Sequence, residues 1–136
     1  MQNAKLALAA TASVVALIGT YGVESLRAQQ PGFSRTILQK ADISAPGREA
    51  VQITADFDAG AATGKHTHPG EEVGYVLEGP FVVAVEGKPP LTLKAGDHFF
   101  VPAGTVHEGR NAGSGKAKVL VTYIVEKGKP LATPAK

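Results

Sequence analysis

Beyond residue 33 the apolar residues recur in short runs with a period of two, and glycine or proline cuts nearly every run. This punctuation limits the fold more than any other feature. A period of two puts alternate side chains on opposite faces of a strand, whereas a helix needs a period of about 3.6. In VQITADF, residues 51–57, Val51, Ile53, Ala55 and Phe57 share one face. DAGAATG breaks that run, and EEVGYVLEG and FVVAVEG read as two more strands with Gly79-Pro80 between them. The prolines of EGKPP cannot donate to a ladder and mark a turn. LTLK, the turn AGD, the strand HFFVP and the loop NAGSGKA follow, and KVLVTYIVEK is a long final strand. GKPLATPAK reads as a tail, poorly ordered at its end. No helical pattern of useful length follows the N-terminal segment. The expectation is an all-β single domain, an antiparallel sandwich or barrel. Sixteen glycines and nine prolines in 136 residues suit that many tight turns.

The N-terminus is different. Lys5 precedes the apolar stretch LALAATASVVALIGTYGV, and small residues follow near LRAQQ. This reads as a secretory signal over residues 1–28, cut after Ala28 or nearer Ser25, and it implies a periplasmic or secreted protein. The other reading is an uncleaved membrane anchor, since the apolar run nearly reaches spanning length. Its alanine, serine, threonine and glycine content makes it only weakly hydrophobic, which favours the signal. Residues 29–136 hold 12 Lys+Arg and 11 Asp+Glu, scattered without a basic stripe, so nucleic acid is not an expected partner. With no cysteine, the chain forms no disulfide, thiol nucleophile or cysteine-held zinc site. An exposed strand edge or apolar patch on a domain this small would favour a homodimer.

Two of the chain's four histidines stand one residue apart in GKHTHPGEEVG, beside Glu71 and Glu72. The spacing around them is regular. Gly60 is followed by five residues and His66, then one and His68, three and Glu72, six and Gly79. Gly96 is followed by five residues and Pro102, one and Gly104, two and His107, three and Asn111. At every one of these positions the two blocks, 60–79 and 96–111, match the two motifs of the cupin family. The chain therefore closely resembles that family over about half of residues 29–136. The resemblance implies a small double-sheet jelly-roll barrel, with His66, His68, Glu72 and His107 as ligands of one divalent transition metal.

Strand geometry agrees with that ligand set. Residues two apart point the same way, so His66 and His68 can aim at one point, and Glu72 joins them if the chain bends at Pro69-Gly70. His107 must arrive from a distant strand. Three imidazoles and a carboxylate suit Fe, Mn, Co, Ni, Cu or Zn, and an octahedral ion keeps two positions open. Glu71, one step out of register, is expected to be solvated or to support a ligand. His98 is expected to pack beside Phe99 and Phe100. Phe57, Tyr75, Phe81, Phe100 and Tyr123 read as core, with one or two lining a pocket. Arg110 is expected to pair with Glu108 or meet solvent, with an anionic substrate as the sharper alternative. The glycines and Pro102 read as turn devices, and Asn111 as the tie of a turn.

The family spans dioxygenases, decarboxylases, isomerases, sugar-binding domains and storage proteins, so the resemblance specifies a site more closely than a reaction. One expectation is a metal-dependent, dioxygenase-like oxidoreductase that holds a small molecule through two oxygens. In it Glu72 leaves the metal to act as base. The other is a protein that binds a metal, or a small ligand through the metal, without turnover. A zinc-dependent regulatory domain is a weaker third, given the export segment.

Overall fold

The computed structural model describes residues 30–136, and the segment read as an export signal or anchor lies outside the described residues. Ten strands make up the order β1 Phe33–Asp42, β2 Arg48–Phe57, β3 His66–Thr67, β4 Gly70–Glu78, β5 Phe81–Val85, β6 Leu91–Leu93, β7 His98–Val101, β8 His107–Asn111, β9 Ala117–Glu126 and β10 Thr133–Pro134. They form two antiparallel five-stranded sheets, β1-β2-β9-β4-β7 and β10-β3-β8-β5-β6. The chain changes sheet at every connection except β1–β2 and β5–β6. This is the expected jelly roll, and no helix occurs among the described residues.

The alternation read from the sequence lays out the interior. β2 and β9 bury every second residue, and Val51, Ile53, Ala55, Phe57, Val119, Val121, Tyr123 and Val125 face Phe81, Val83 and Val85 across the gap. Phe57 lies 4.9 Å from Phe33 and 5.0 Å from Phe81, and Phe81 lies 6.1 Å from Phe99, ring centre to ring centre. Burying each such ring is worth about 1.5–3 kcal/mol. These rings plug one end of the barrel and leave the other for polar side chains.

Two of the rings rest on glycines. A Cβ at Gly74 would run into the Phe99 ring, and one at Gly109 would come within 2.6 Å of the Phe81 ring. The motif glycines Gly60 and Gly96 have φ of 73° and 93°, a left-handed backbone that only glycine adopts freely. Asn111 does more than tie a turn. It is 2% exposed, its Nδ2 donates to the carbonyls of Phe57, Asp58 and Gly115, and its Oδ1 accepts from Gly113 N–H.

The structure corrects several expectations. The C-terminal stretch is no loose tail, since Thr133 and Pro134 pair with Thr67 and His66. Tyr75 and Phe100 are outside the core, at 47% and 56% exposure, and Phe99 is the buried member of its pair. His98 lies opposite Tyr75 on the same outward face. The strand β1 has no clean alternation because its register shifts between Ile37 and Gln39, and all of it past Phe33 is exposed.

Gly74→Ala should destabilise the fold by about 1–3 kcal/mol, because the Phe99 ring must leave its seat. Gly115→Ala, where an added Cβ meets nothing, should change stability by less than about 0.5 kcal/mol. Chemical denaturation of the two variants checks both figures.

Candidate metal centre

Both sheets supply the site. His66 sits on β3 and His107 directly opposite it on β8, in one sheet. Glu72 sits on β4 in the other, flanked by Val101 and Tyr123. His68 lies on the crossing between them. The bend expected at Pro69-Gly70 is therefore a change of sheet. Gly70 makes it possible, since any Cβ there would meet the backbone of Ile124 and Val125. Pro69 accepts from Glu126 N–H at 3.0 Å and anchors the crossing to β9.

One ligand atom from each of His66, His68, Glu72 and His107 lies within 4.8 Å of all the others. Glu72 Oε2 is 3.0 Å from His68 Nε2 and 2.8 Å from His107 Nε2, and His66 Nε2 is 3.1 Å from His68 Nε2. His68, Glu72 and His107 are 3%, 6% and 4% exposed, and His66 is half-buried. The far side of every ring is committed. Nδ1–H of His66 donates to the Gly64 carbonyl at 2.8 Å, that of His68 to Leu131 at 2.5 Å, and that of His107 to Thr105 at 2.9 Å. A carbonyl only accepts, so Nδ1 carries a proton in each ring, and Nε2 points inward, with a lone pair in the neutral ring and a second proton in the charged one. Such bonds fix tautomer and orientation in metal-binding histidines.

The charges follow from this geometry. Burial holds His66 down at about 4, even though its bond to Gly64 works the other way. Burial would raise Glu72, but hydrogen bonds from His107 and His68 outweigh it and hold the carboxyl at about 2. Burial opposes a charge on His107, yet the adjoining Glu72 raises its pKa above the ordinary 6.5. Without a metal, the cluster depends on a proton held between His107 and Glu72. Three ring nitrogens and one carboxylate oxygen, buried and converging, fit a divalent first-row ion by donor type and count.

The sequence did not single out the surroundings of this cluster. The Tyr123 ring lies 4.5 Å from that of His68. Burial, and then the Glu72 charge, push its hydroxyl well above the ordinary tyrosine value, while a nearby Arg35 works against the rise. Arg35 is on β1, opposite Ala55 and so on the inward face, with its guanidinium carbon 5.6 Å from the Phe33 ring centre. No motif spacing points to Arg35 or to the Leu131 carbonyl. The remaining candidates stay outside. Glu71 faces outward with Arg48 at 3.8 Å, an ion pair too long for a hydrogen bond. His98 and Arg110 are exposed on outer faces, and Arg110 makes no ion pair with Glu108.

A hollow of about 240 Å³ touches His107, with Lys65, Val85 and Lys88 on its walls. A larger one, about 570 Å³, lies at the other end of the barrel around Asp56, Phe57, Glu78 and Lys118. Its lysines are paired, Lys116 with Asp58 at 3.7 Å and Lys118 with Asp56 at 3.1 Å.

A cupin-domain family model matches residues 53–123. Dimethylsulfoniopropionate lyase DddQ of Ruegeria pomeroyi is 44% identical over 45 residues, 33% of this chain and 22% of the lyase. Its crystal structure superposes with a TM-score of 0.62 at 25% identity, covering 76% of this chain and 51% of that one. Germin-like protein subfamily 2 member 2 of Arabidopsis thaliana is 34% identical over 86 residues, 57% of this chain and 39% of that protein. Recombinant oxalate oxidase in complex with glycolate shares the fold, with a TM-score of 0.61 at 24% identity over 76% of this chain and 55% of that one. The sequence matches span less than half the length of these curated relatives. The two-sheet jelly roll, the paired motifs and the family match agree, and the chain belongs to the cupin family.

Proposed function

We propose that His66, His68, Glu72 and His107 hold one divalent transition metal, and that this centre oxidises a small compound bound through two oxygens. One observation carries the reading: four acceptor atoms, three on buried side chains and one on the half-buried His66, converge while each ring's Nδ1–H already donates to a carbonyl. A redox-active divalent ion held by these four residues would supply electron exchange between a bound substrate and O2, with both oxygen atoms entering the product and no outside reductant consumed. The hollow that touches His107 has Ala84, Val85 and Val106 on its walls beside Lys65 and Lys88, which suits a compact body with one apolar and one polar side. Glu72, once out of its contacts with His68 and His107, accepts the proton that the substrate gives up. The glycolate held by oxalate oxidase supports a small oxygen-bearing ligand.

A specific observation favours a second reading, metal-held binding without turnover. A carboxyl held at about 2 is a weak base, and in the described arrangement Glu72 is better suited to ligate than to take a proton.

Metal uptake by the apoprotein should release a proton. His107, raised above 6.5 by Glu72, must lose its charge to ligate, whereas His66 at about 4 is already neutral. Affinity should therefore climb as pH rises above 6.5 through the raised His107 value, then level off. Calorimetric titration in buffers of different ionisation enthalpy measures the proton. PH-independent affinity would remove the three-histidine assignment.

The reaction is checked with apoprotein loaded in turn with Fe(II), Mn(II), Ni(II), Cu(II) and Zn(II). O2 uptake is followed over enols, 1,3-diones and catechols. His68→Ala and His107→Ala should each lower metal content several-fold. At least one redox-active form should consume O2 well above its Glu72→Ala control. Binding without uptake in every form would leave the second reading standing.

We further infer export with removal of residues 1–28, and a homodimer. The first rests on the N-terminal sequence alone. The second is supported by Val73, Tyr75, Leu77 and Phe100, which stand 40–56% exposed on one outer sheet face. Native mass spectrometry of protein from its own host should show a chain that begins near Gln29 and a complex of twice its mass.

A further inference from the structure

The stretch that follows β9 crosses the metal end of the barrel. β9 belongs to one sheet and β10 to the other, so residues 127–132 bridge the two. Two of the four ligands depend on what this stretch brings. The Leu131 carbonyl accepts from His68 Nδ1–H at 2.5 Å. β10 then lies against β3, with Thr133 opposite Thr67 and Pro134 opposite His66, and Ala135 N–H donates to the Lys65 carbonyl at 2.9 Å. On its other side β3 pairs with β8 at one point, His66 opposite His107. The two-residue strand that carries His66 is thus held more by the C-terminal segment than by β8.

The segment itself is lightly attached. Pro130, Thr133 and Pro134 are exposed, and the two prolines have no N–H to give. Its hold on the core is the half-buried Leu131 side chain. A stretch with little buried apolar surface opens locally at a small part of the cost of unfolding the whole domain.

We propose that residues 130–136 form a strap over the metal centre: it must lift from β3 for the ion to be exchanged, and a bound ion holds it down. With the strap in place the His68 ring cannot turn and β3 cannot leave β8. Once it lifts, His66 and His68 are free to withdraw together from Glu72 and His107, and an ion loses half its ligands. The coupling runs both ways. An imidazole whose Nε2 holds a cation donates more strongly through Nδ1, which tightens the bond to Leu131, and that bond in turn fixes the ring for the ion. Linkage makes the two effects equal in size. The proposal rests on the reading that His66, His68, Glu72 and His107 hold a metal, and it goes further by naming what controls the ion's exchange.

Release of Zn(II) from loaded protein into excess chromogenic chelator measures that exchange. Leu131→Ala removes the strap's apolar hold, and Ala135→Pro removes its N–H to Lys65 while suiting an extended backbone. Each should release Zn(II) about fivefold or more faster than wild type, at unchanged zinc content. Leu93→Ala truncates another leucine half-buried against the core, on β6, and should stay within about twofold of wild type. In wild type, hydrogen exchange at Ala135 N–H should slow about tenfold on Zn(II) loading. The opposite change is a cross-strand disulfide, Thr67→Cys with Thr133→Cys, at positions that face each other in the ladder and alternate with the ligands. Oxidised, this variant should hold Zn(II) several-fold longer than when reduced. Unchanged release in both strap variants, or equal release from the oxidised and reduced double variant, overturns the strap and leaves the metal reading intact. Equal acceleration in Leu93→Ala overturns it too, because the effect is then one of general stability. Wild type that takes up no Zn(II) or other divalent first-row ion overturns the strap and the metal reading together.

Discussion

Four acceptor atoms aimed at one buried point repel one another unless a cation lies among them, and this barrel's interior is arranged around that requirement. His66 and His107 come from one sheet, Glu72 from the other, and His68 from the crossing between. A cation there binds the two sheets to each other through charge as well as through apolar contact. In a poorly screened interior the repulsion is strong, and a proton shared between His107 Nε2 and Glu72 Oε2, 2.8 Å apart, offsets part of it when no cation is bound. The three carbonyls of Gly64, Thr105 and Leu131 make the demand fixed, because each accepts from an Nδ1–H and so excludes the neutral tautomer whose proton points inward.

The two ends of the barrel divide the remaining tasks. Phe33, Phe57, Phe81 and Phe99 fill one end with rings, and the tips of Phe99 and Phe81 abut Gly74 and Gly109. Outside that ring cluster the same end opens into the larger hollow. At the other end Gly70 lets β4 begin against the β9 backbone immediately after the crossing, which turns Glu72 inward beside Tyr123. The C-terminal segment then closes over β3 and delivers the Leu131 carbonyl to His68. The site depends on two kinds of glycine. Some free the backbone to turn, as at Gly60 and Gly96, and others only make room.

What the sequence disclosed followed from local rules. The runs of β2 and β9 are strictly alternating, and both were legible as strands. The ligands were legible because two motifs with specified spacings are hard to meet by chance, and the four side chains do converge. Their tautomers were not legible, since these depend on carbonyls from loops and from the C-terminal segment. β1 escaped because its bulge breaks the alternation, and Arg35 escaped with it. Tyr75 and Phe100 misled because aromatic character favours burial on average, but register decides which face of a strand a residue takes. His98 was misplaced for the same reason: it is one residue out of step with Phe99.

The same cluster opposes itself as pH changes when no metal is bound. Glu72 has a folded pKa of about 2 against an ordinary 4.5, so its contribution is complete above the ordinary value and is lost as pH falls toward 2. His66, at about 4 against 6.5, resists the charge that the unfolded chain accepts freely, and stability declines as pH falls from 6.5 toward 4. His107 has the reverse sign. Its raised pKa stabilises below 6.5, and that contribution disappears as pH rises through its folded value. Acid therefore removes what Glu72 and His66 supply, and alkali removes the proton that holds Glu72 to His107. A divalent ion resolves the second conflict, because it meets the four lone pairs without a proton and is bound more readily once that proton has gone. The folded apoprotein is thus most stable in a window where His107 still holds the proton that a metal must displace.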